Sequence, residues 1–339
     1  NHMIYPSVSI IIPCRNEETF IGKCLDSIIA NDFSKDSLEI IVIDGMSEDR
    51  TRDIINEYSQ QFSFVNLLDN YKKIVPTALN IGIQNANGKI IIRMDAHTTY
   101  EKNYVTKCVE YLQNYGADNA GGICVTLPGD DTVMAKSIAM ALSHPFGVGN
   151  SYFRIGLKEP KYVDTVPFGC YKKEVFDKIG LFHENLIRNQ DIEFNLRLKN
   201  AGGKILLVPD IVSYYRARSS LKALAKNNFS NGFWVIYSSR FAKVPFSIRH
   251  LIPLLFVVAL LSSFSMSLVY FPVFYIFSLV LGTYLIAGIY YSLKISLKKG
   301  LKFFPILILT FFTLHLSYGF GSCWGICKIL SGKILLNKQ

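Results

Sequence analysis

Three apolar runs close the chain, and they constrain its folding more than any other feature. They cover about Leu251 to Phe271, Pro272 to Leu293 and Pro305 to Cys327. Each has about the twenty residues that a membrane-crossing helix needs. The first two meet at Tyr270-Phe271-Pro272, a turn tight enough to make them a hairpin. Arg240, Lys243 and Arg249 precede that hairpin, and Lys294, Lys298, Lys299 and Lys302 follow it. Cations collect in cytoplasmic loops, so both hairpin ends are expected in the cytosol. Trp234, Tyr270, Tyr290, Tyr291 and Trp324 sit near the run ends as interfacial anchors. The third run is ambiguous. If it spans, Lys328, Lys333 and Lys338 fall on the wrong side, and His315, Ser317, Tyr318 and several glycines suit a re-entrant or interfacial course. A buried core helix of a soluble protein is the competing account of the hairpin, and the length of the runs disfavours it.

The apolar excess belongs to this tail. Half of the 339 residues are hydrophobic, yet before about Leu251 the chain reads as an ordinary α/β sequence. The formal net charge of +10 admits nucleic acid, an anionic membrane face or phosphate-bearing substrates as partners. No arginine-rich tail or zinc-knuckle spacing supports nucleic acid. The basic residues cluster before and between the apolar runs, which favours a membrane surface. Seven cysteines without a CxxC pair make no disulfide framework and fit a reducing cytosol. Asn1-His2-Met3 resembles a cloning remnant, so residues 1–3 are set aside and the natural start is expected at Met3, with no signal peptide.

Ahead of the tail, strand and helix patterns alternate. Val8 to Ile12, Leu38 to Ile43, Val65 to Leu68 and Ile90 to Ile92 are short apolar runs bounded by turn residues, as buried parallel strands are. Helical spacing fills Phe20 to Ala30, Thr51 to Phe62 and Thr77 to Ala86, with Ser47, Asp49 and Thr51 as cap types for the second. The spacing is that of βαβ crossovers, so a mainly parallel, doubly wound sheet is expected. Further on, helices are expected over Lys102 to Tyr115, Asp130 to Ser143 and Ile192 to Asn200, and strands over Asn119 to Val125, Tyr162 to Phe168 and Lys204 to Val208. His144 to Glu159 has no period and reads as a long ordered loop, of the kind that often serves function. Arg216 to Trp234 is basic and amphipathic.

The stretch Gly88 to Tyr100, GKIIIRMDAHTTY, carries the first chemical signal. In open α/β sheets ligands sit beyond the carboxyl ends of the strands, where Asp95 and His97 fall. Residues two apart on an extended backbone share a side, so both groups can face one ion. A carboxylate and an imidazole suit a divalent cation such as Mg²⁺ or Mn²⁺ that also holds phosphate oxygens. A polar loop after a core strand is the plain alternative.

Four features thus stand at strand ends: Pro13-Cys14-Arg15-Asn16-Glu17, Asp44-Gly45, Asp95-Ala96-His97 and Asn189-Gln190-Asp191. Together they resemble family 2 glycosyltransferases of the GT-A fold, over about Val8 to Trp234. The nearest likeness is to the succinoglycan-type enzymes of polysaccharide assembly, which carry Asp-Ala-His where most relatives have Asp-x-Asp. The resemblance implies an α/β, Rossmann-like GT-A domain over residues 4–215, a basic interfacial segment over 216–250 and a membrane domain of two or three helices over 251–330.

It also implies roles. Pro13, Arg15 and Glu17 would line the nucleotide pocket, with Glu17 toward the ribose or base, and Asp44 would accept from a uracil ring. Lys72 or Lys73 would neighbour the diphosphate. Asp95 would touch the nucleotide and, with His97, hold the metal. Asp191 would be the catalytic base, or else merely a helix cap. The family usually has Glu-Asp where this chain has Gln190-Asp191. Phe168, Gly169, Gln190, Arg216, Arg218 and Trp234 would lie on the acceptor and diphosphate side. Gln-x-x-Arg-Trp is absent, against a processive synthase, and an amphipathic helix on the membrane explains the Arg216 to Trp234 segment as well.

The implied activity is inverting, metal-dependent transfer from a nucleotide-sugar, as UDP-sugar, to a lipid-linked (polyprenyl-diphosphate) saccharide. The site would be the cytosolic face of the inner membrane. A polyprenyl-phosphate sugar synthase, a non-catalytic sugar-nucleotide-binding protein and a soluble nucleotidyltransferase are the alternatives. The last leaves three apolar runs without a purpose.

Overall fold

The structure, a computed structural model, describes residues 6–241 and 248–332. Asn1-His2-Met3, Lys243, Lys333 and Lys338 lie outside the described residues. In chain order the elements are β1 (Val8–Cys14), α1 (Ile21–Ile29), β2 (Leu38–Asp44), α2 (Thr51–Gln61), β3 (Val65–Asp69), α3 (Val75–Asn85), β4 (Ile90–Arg93), β5 (Thr98–Tyr100), α4 (Tyr104–Asn114) and β6 (Asn119–Leu127). There follow α5 (Val133–Leu142), α6 (Pro145–Val148), α7 (Tyr152–Ile155), β7 (Lys161–Tyr162), β8 (Cys170–Lys172), α8 (Glu174–Ile179), α9 (Gln190–Asn200), β9 (Ile205–Arg216) and α10 (Leu221–Tyr237). Three long helices end the chain: α11 (Ile248–Ser267), α12 (Val273–Lys299) and α13 (Phe304–Leu330).

The chain divides into two compact units. One holds the described residues up to Val125 together with Tyr152–Arg216; the other holds Thr126–Ser151 and the described residues from Ala217 onward. In the first, the strand order is β3-β2-β1-β4-β8-β6-β9-β5, with β7 on β9. The apolar runs of the sequence form the parallel part: β1 pairs with β2 and β4, and β2 with β3. Ile10, Ile12, Ile40 and Val42 pack in one cluster and Ile11, Ile41 and Ile43 in another. Successive side chains on a strand point to opposite faces, so this half of the sheet is covered on both sides.

The other half departs from the expectation of a mainly parallel sheet. β8 pairs antiparallel with β4 and β6, and β9 antiparallel with β5 and β7. The strand expected over Tyr162 to Phe168 is instead the two-residue β7 and, after a turn, β8. The last strand extends to Arg216, well past the expected Val208. The expected loop from His144 to Glu159 contains the short helices α6 and α7.

The second unit is built on helix pairs. α11, α12 and α13 are each long and apolar enough to cross a membrane. The third run is one continuous helix, not a broken re-entrant course. α10 lies against α13, with glycines where the backbones meet: a Cβ on Gly232 would come within 2.0 Å of the Tyr318 carbonyl oxygen, and one on Gly321 within 2.0 Å of that of Phe229. Small residues permit such close approach between membrane helices. His315, polar in an apolar run, is held on both sides. Its Nδ1 is 2.9 Å from Tyr284 Oη and its Nε2 2.8 Å from the Phe146 carbonyl oxygen. It ties α6 to α12 and α13.

Candidate active site

In the first unit, the carboxyl ends of β1, β2 and β4 and the start of α9 open on one cavity of about 240 Å³. Pro13, Arg15 and Glu17 reach it from the loop after β1, and Gly45 from the end of β2. Asn70 and Lys73 come from the loop before α3, Arg93, Asp95 and His97 from the end of β4, and Gln190 from α9. The four strand-end motifs of the sequence therefore converge, as the switch region of an open α/β sheet requires.

The cavity is bordered by strained backbone. Among the described residues, five non-glycine residues have positive φ: Asn16, Met46, Lys73, Phe168 and Asn189. Four of them are lining residues or their chain neighbours, and Phe168 precedes Gly169, whose carbonyl accepts from the Arg93 N–H at 3.0 Å. Such residues cluster where function over-determines the backbone. Buried polar atoms without a hydrogen-bond partner also gather here, among them Arg15 Nε, Asn70 Oδ1 and Arg93 Nε. Unsatisfied buried groups are rare in folded chains, and at a cavity wall a water or a bound group can complete them.

The first two loops are stitched together. The Asn16 N–H donates to Ser47 Oγ at 2.8 Å, the Glu17 N–H to Thr51 Oγ1 at 2.7 Å and the Glu48 N–H to Asn16 Oδ1 at 2.9 Å. Ser47 and Thr51, cap types in the sequence, serve the loop, and no side chain caps α2 at Arg50.

Asp44, expected to accept from a uracil ring, lies outside the cavity lining. Its side chain is fully buried and accepts from the Ser47 N–H at 3.0 Å, from the Ser47 hydroxyl and from Arg52 Nη1 at 2.8 Å. It stands behind the cavity, and Gly45 faces it in its place. Arg52 also holds Asp69, 2.8 Å away, and its hydrogen bond keeps the Asp69 carboxyl below the ordinary aspartate range. Lys72 points elsewhere, paired with Glu184 at 2.6 Å.

At the β4 end, His97 Nδ1 lies 3.3 Å from Glu17 Oε1, and the ring meets Tyr215 edge-on. A carboxylate on one imidazole nitrogen fixes the tautomer that presents the other to a ligand. The Asp95 N–H donates to Tyr100 Oη at 2.8 Å. Arg93, partly buried, places Nη2 3.2 Å from Asp95 Oδ1 and Nη1 3.8 Å from Asp191 Oδ2. Burial opposes the Arg93 charge, but the Asp95 and Asp191 carboxylates more than offset it and hold its pKa above the ordinary arginine value. The period-two argument that pairs Asp95 with His97 reaches back to Arg93, and so could have found it. Asn70 had only the weaker signal of a polar residue after β3.

Asp191 is not the cap of α9. The helix starts at Gln190, its cap position is the left-handed Asn189, and no side chain caps it. Asp191 Oδ1 accepts only from the adjacent Ile192 N–H among the hydrogen bonds described, at 3.0 Å. The capping account fails, and the carboxylate stays partly exposed beside Arg93. Gln190 is buried against the cavity. Phe168 is buried with its ring against Tyr100.

Arg216 and Arg218 are exposed. Trp234 packs on Phe233 and Tyr237 within α10, so Gly232 and Trp234 have a helix-packing explanation. All seven cysteines are free, and burial pushes the thiols of Cys14 and Cys24 far up, away from nucleophilic use.

Among the described residues no cluster of three or more His, Cys, Asp or Glu side chains could hold a metal unaided. Asp95 and His97 line the same cavity and would offer a metal two ligands. That fits Mg²⁺ or Mn²⁺, which keeps waters and shares substrate phosphates rather than filling an all-protein cage.

The profile described as Glycosyl transferase family 2 matches residues 9–180, half of the chain. The chain belongs to this family. A relative from Methanococcus voltae, "Dolichyl N-acetyl-alpha-D-glucosaminyl phosphate 3-beta-D-2,3-diacetamido-2,3-dideoxy-beta-D-glucuronosyltransferase", is 34% identical over 92% of this chain and 95% of that protein. "Succinoglycan biosynthesis protein ExoA" of Rhizobium meliloti is 28% identical over 66% of this chain and 67% of that one. Among solved structures, the mannosyltransferase PcManGT from Pyrobaculum calidifontis, in complex with GDP-Man and Mn²⁺, superposes with a TM-score of 0.60 at 16% identity, covering 96% and 88% of the two chains. The fold is GT-A, the protein is a glycosyltransferase of an inverting family, and three apolar helices follow its catalytic region.

Proposed function

We propose that this glycosyltransferase moves a sugar from a nucleotide-sugar, with UDP as the carrier, to a lipid-linked saccharide at the cytosolic face of a membrane. One observation carries the reading: four separate motifs line a single cavity that holds Arg15, Glu17, Lys73, Arg93, Asp95 and His97, with Asp191 one guanidinium away from Asp95.

In this reading the donor diphosphate lies among Arg15, Lys73 and His97, and the base and ribose lie toward Gly45 and Asn70. Asp95 and His97 would hold the divalent metal, with Glu17 behind His97. Bound there, the metal supplies charge neutralisation for the departing diphosphate. That the mannosyltransferase of similar fold was solved with Mn²⁺ supports this. Asp191 takes the proton from an acceptor hydroxyl as that oxygen attacks the anomeric carbon. The bond from that carbon to the phosphate oxygen breaks on the opposite face, releasing the nucleoside diphosphate and inverting the centre. Alignment of both substrates supplies much of the rate.

The dolichyl-linked acceptor in the name of the Methanococcus relative supports a saccharide on a prenyl phosphate, rather than the prenyl phosphate itself, as acceptor. The long apolar helices support a membrane-held acceptor. The test is transfer from a panel of sugar nucleotides to prenyl-linked saccharides, in detergent, with Mg²⁺, Mn²⁺ or chelator. Chelator-sensitive release of UDP with a new glycan on the lipid is expected. Failure to release or to bind any nucleotide-sugar, by calorimetry with metal present, overturns the reading.

A further inference from the structure

One guanidinium stands between the two carboxylates that the proposed reaction uses at its opposite ends. Arg93 leaves β4 with its side chain 13% exposed, Nη2 at 3.2 Å from Asp95 and Nη1 at 3.8 Å from Asp191. Its Nε is buried and has no partner. A fully paired structural arginine would close all its donors on fixed acceptors, as Arg197 does. That residue gives Nε and Nη2 to Glu193 and its two Nη groups to the carbonyls of Ile179 and Leu181. Arg93 by contrast makes one hydrogen bond from its side chain among those described, and holds its second carboxylate at longer range.

A guanidinium on Asp95 Oδ1 competes with a divalent cation for the charge of that one carboxylate. We propose that Arg93 is an exchangeable counter-cation and positioning residue. It neutralises Asp95 before the donor is loaded, gives Asp95 up to the donor's metal, and then turns its charge to Asp191 and to the diphosphate side of the cavity. The proposal rests on the reading of Asp95 and Asp191 given above. Its consequence is order: Asp191 is drawn into line only when the donor is in place, so donor binding precedes productive acceptor binding. Arg93 takes no proton and forms no bond.

A purely structural Arg93 and an exchangeable one differ in the sign of one effect. Removing a competing cation strengthens metal binding at the carboxylate it released, whereas damaging the site weakens it. The experiment titrates Mn²⁺ into full-length protein in detergent, with and without UDP, by electron paramagnetic resonance, in wild type, Arg93→Gln and Arg93→Lys. Arg93→Gln is expected to bind Mn²⁺ about tenfold more tightly and to lose transfer by about a hundredfold or more. Arg93→Lys, which keeps the charge but not the fork, is expected to leave Mn²⁺ affinity near wild type and to restore part of the transfer. Unchanged or weakened Mn²⁺ binding in Arg93→Gln overturns the proposal, as does Arg93→Lys matching Arg93→Gln in both readouts. If Arg93→Gln does not fold, Arg93→Lys decides alone: tighter or lost Mn²⁺ binding there overturns it, and wild-type affinity with reduced transfer supports it. Wild-type protein that binds UDP but no Mn²⁺ under any condition fails the metal reading itself, a result distinct from these.

Discussion

The two units turn opposite kinds of residue outward. In the sheet unit every residue of β1 is buried, and the carboxylates buried with it, Asp44 and Glu193, are paired with Arg52 and Arg197. In the helical unit Ile286 is 71% and Leu279 69% exposed, while Ser292, Ser296 and Thr310 are fully buried. Water selects the first arrangement by the hydrophobic effect. The second makes sense only in a solvent as apolar as its own side chains, where small polar residues mediate helix contact. The sheet unit can thus organise charge for chemistry, and the helical unit can hold the chain at a membrane.

The largest effect that breaks this contrast is a charge on the apolar surface. Ile286→Lys places an ammonium midway along α12, at a cost of about 2.5–3.5 kcal/mol on insertion scales. The equilibrium constant for membrane integration should fall by about a hundredfold, moving protein into the soluble fraction on alkaline extraction; an unchanged partition would mean that α12 does not face lipid. Next comes the charge of the cavity. Asp95→Asn, or chelator on wild type, should weaken UDP binding by about tenfold or more in calorimetry, with membrane integration untouched.

A third, smaller effect lies inside the helical unit. His315→Phe removes the bonds to Tyr284 and to the Phe146 carbonyl, at about 1–3 kcal/mol. The melting temperature in detergent should drop by several degrees, about what that loss implies, while UDP binding holds. The smallest is a pH effect in the sheet unit. Arg52 keeps the Asp69 carboxyl below its ordinary value of 3.8. A depressed folded pKa stabilises the fold above the unfolded value and loses that stabilisation as pH falls through the folded value. Acidification below about 4 should therefore lower the melting point of wild type more than that of Asp69→Asn.

Legibility followed the same divide. The parallel strands were readable because Ile10 to Ile12 and Ile40 to Ile43 are buried on both faces and leave continuous apolar runs. β5, β7 and β8 were not, being two or three residues long and fixed by pairing rather than by pattern. The segment Thr126–Ser151 joins the helical unit although it lies between strands of the sheet; Phe146 finds its partners only through α12 and α13, and no local period reports that. In the cavity, the sequence named Arg15, Glu17, Lys73, Asp95, His97 and Gln190, which the fold brings together. It did not foresee that Asp44 is buried behind Gly45 with its oxygens held by Ser47 and Arg52, because that depends on side-chain geometry. It passed over Arg93, since an arginine two residues before a known motif looks like part of the strand.

The central claim is that Asp191 is the base of a reaction whose donor is held elsewhere in the same site. The measurement that tests it most directly compares donor binding and sugar transfer in Asp191→Asn. Calorimetric affinity for the UDP-sugar within about twofold of wild type, with transfer reduced by about a hundredfold to ten-thousandfold, is the expected result. Transfer retained at near the wild-type rate would contradict the mechanism.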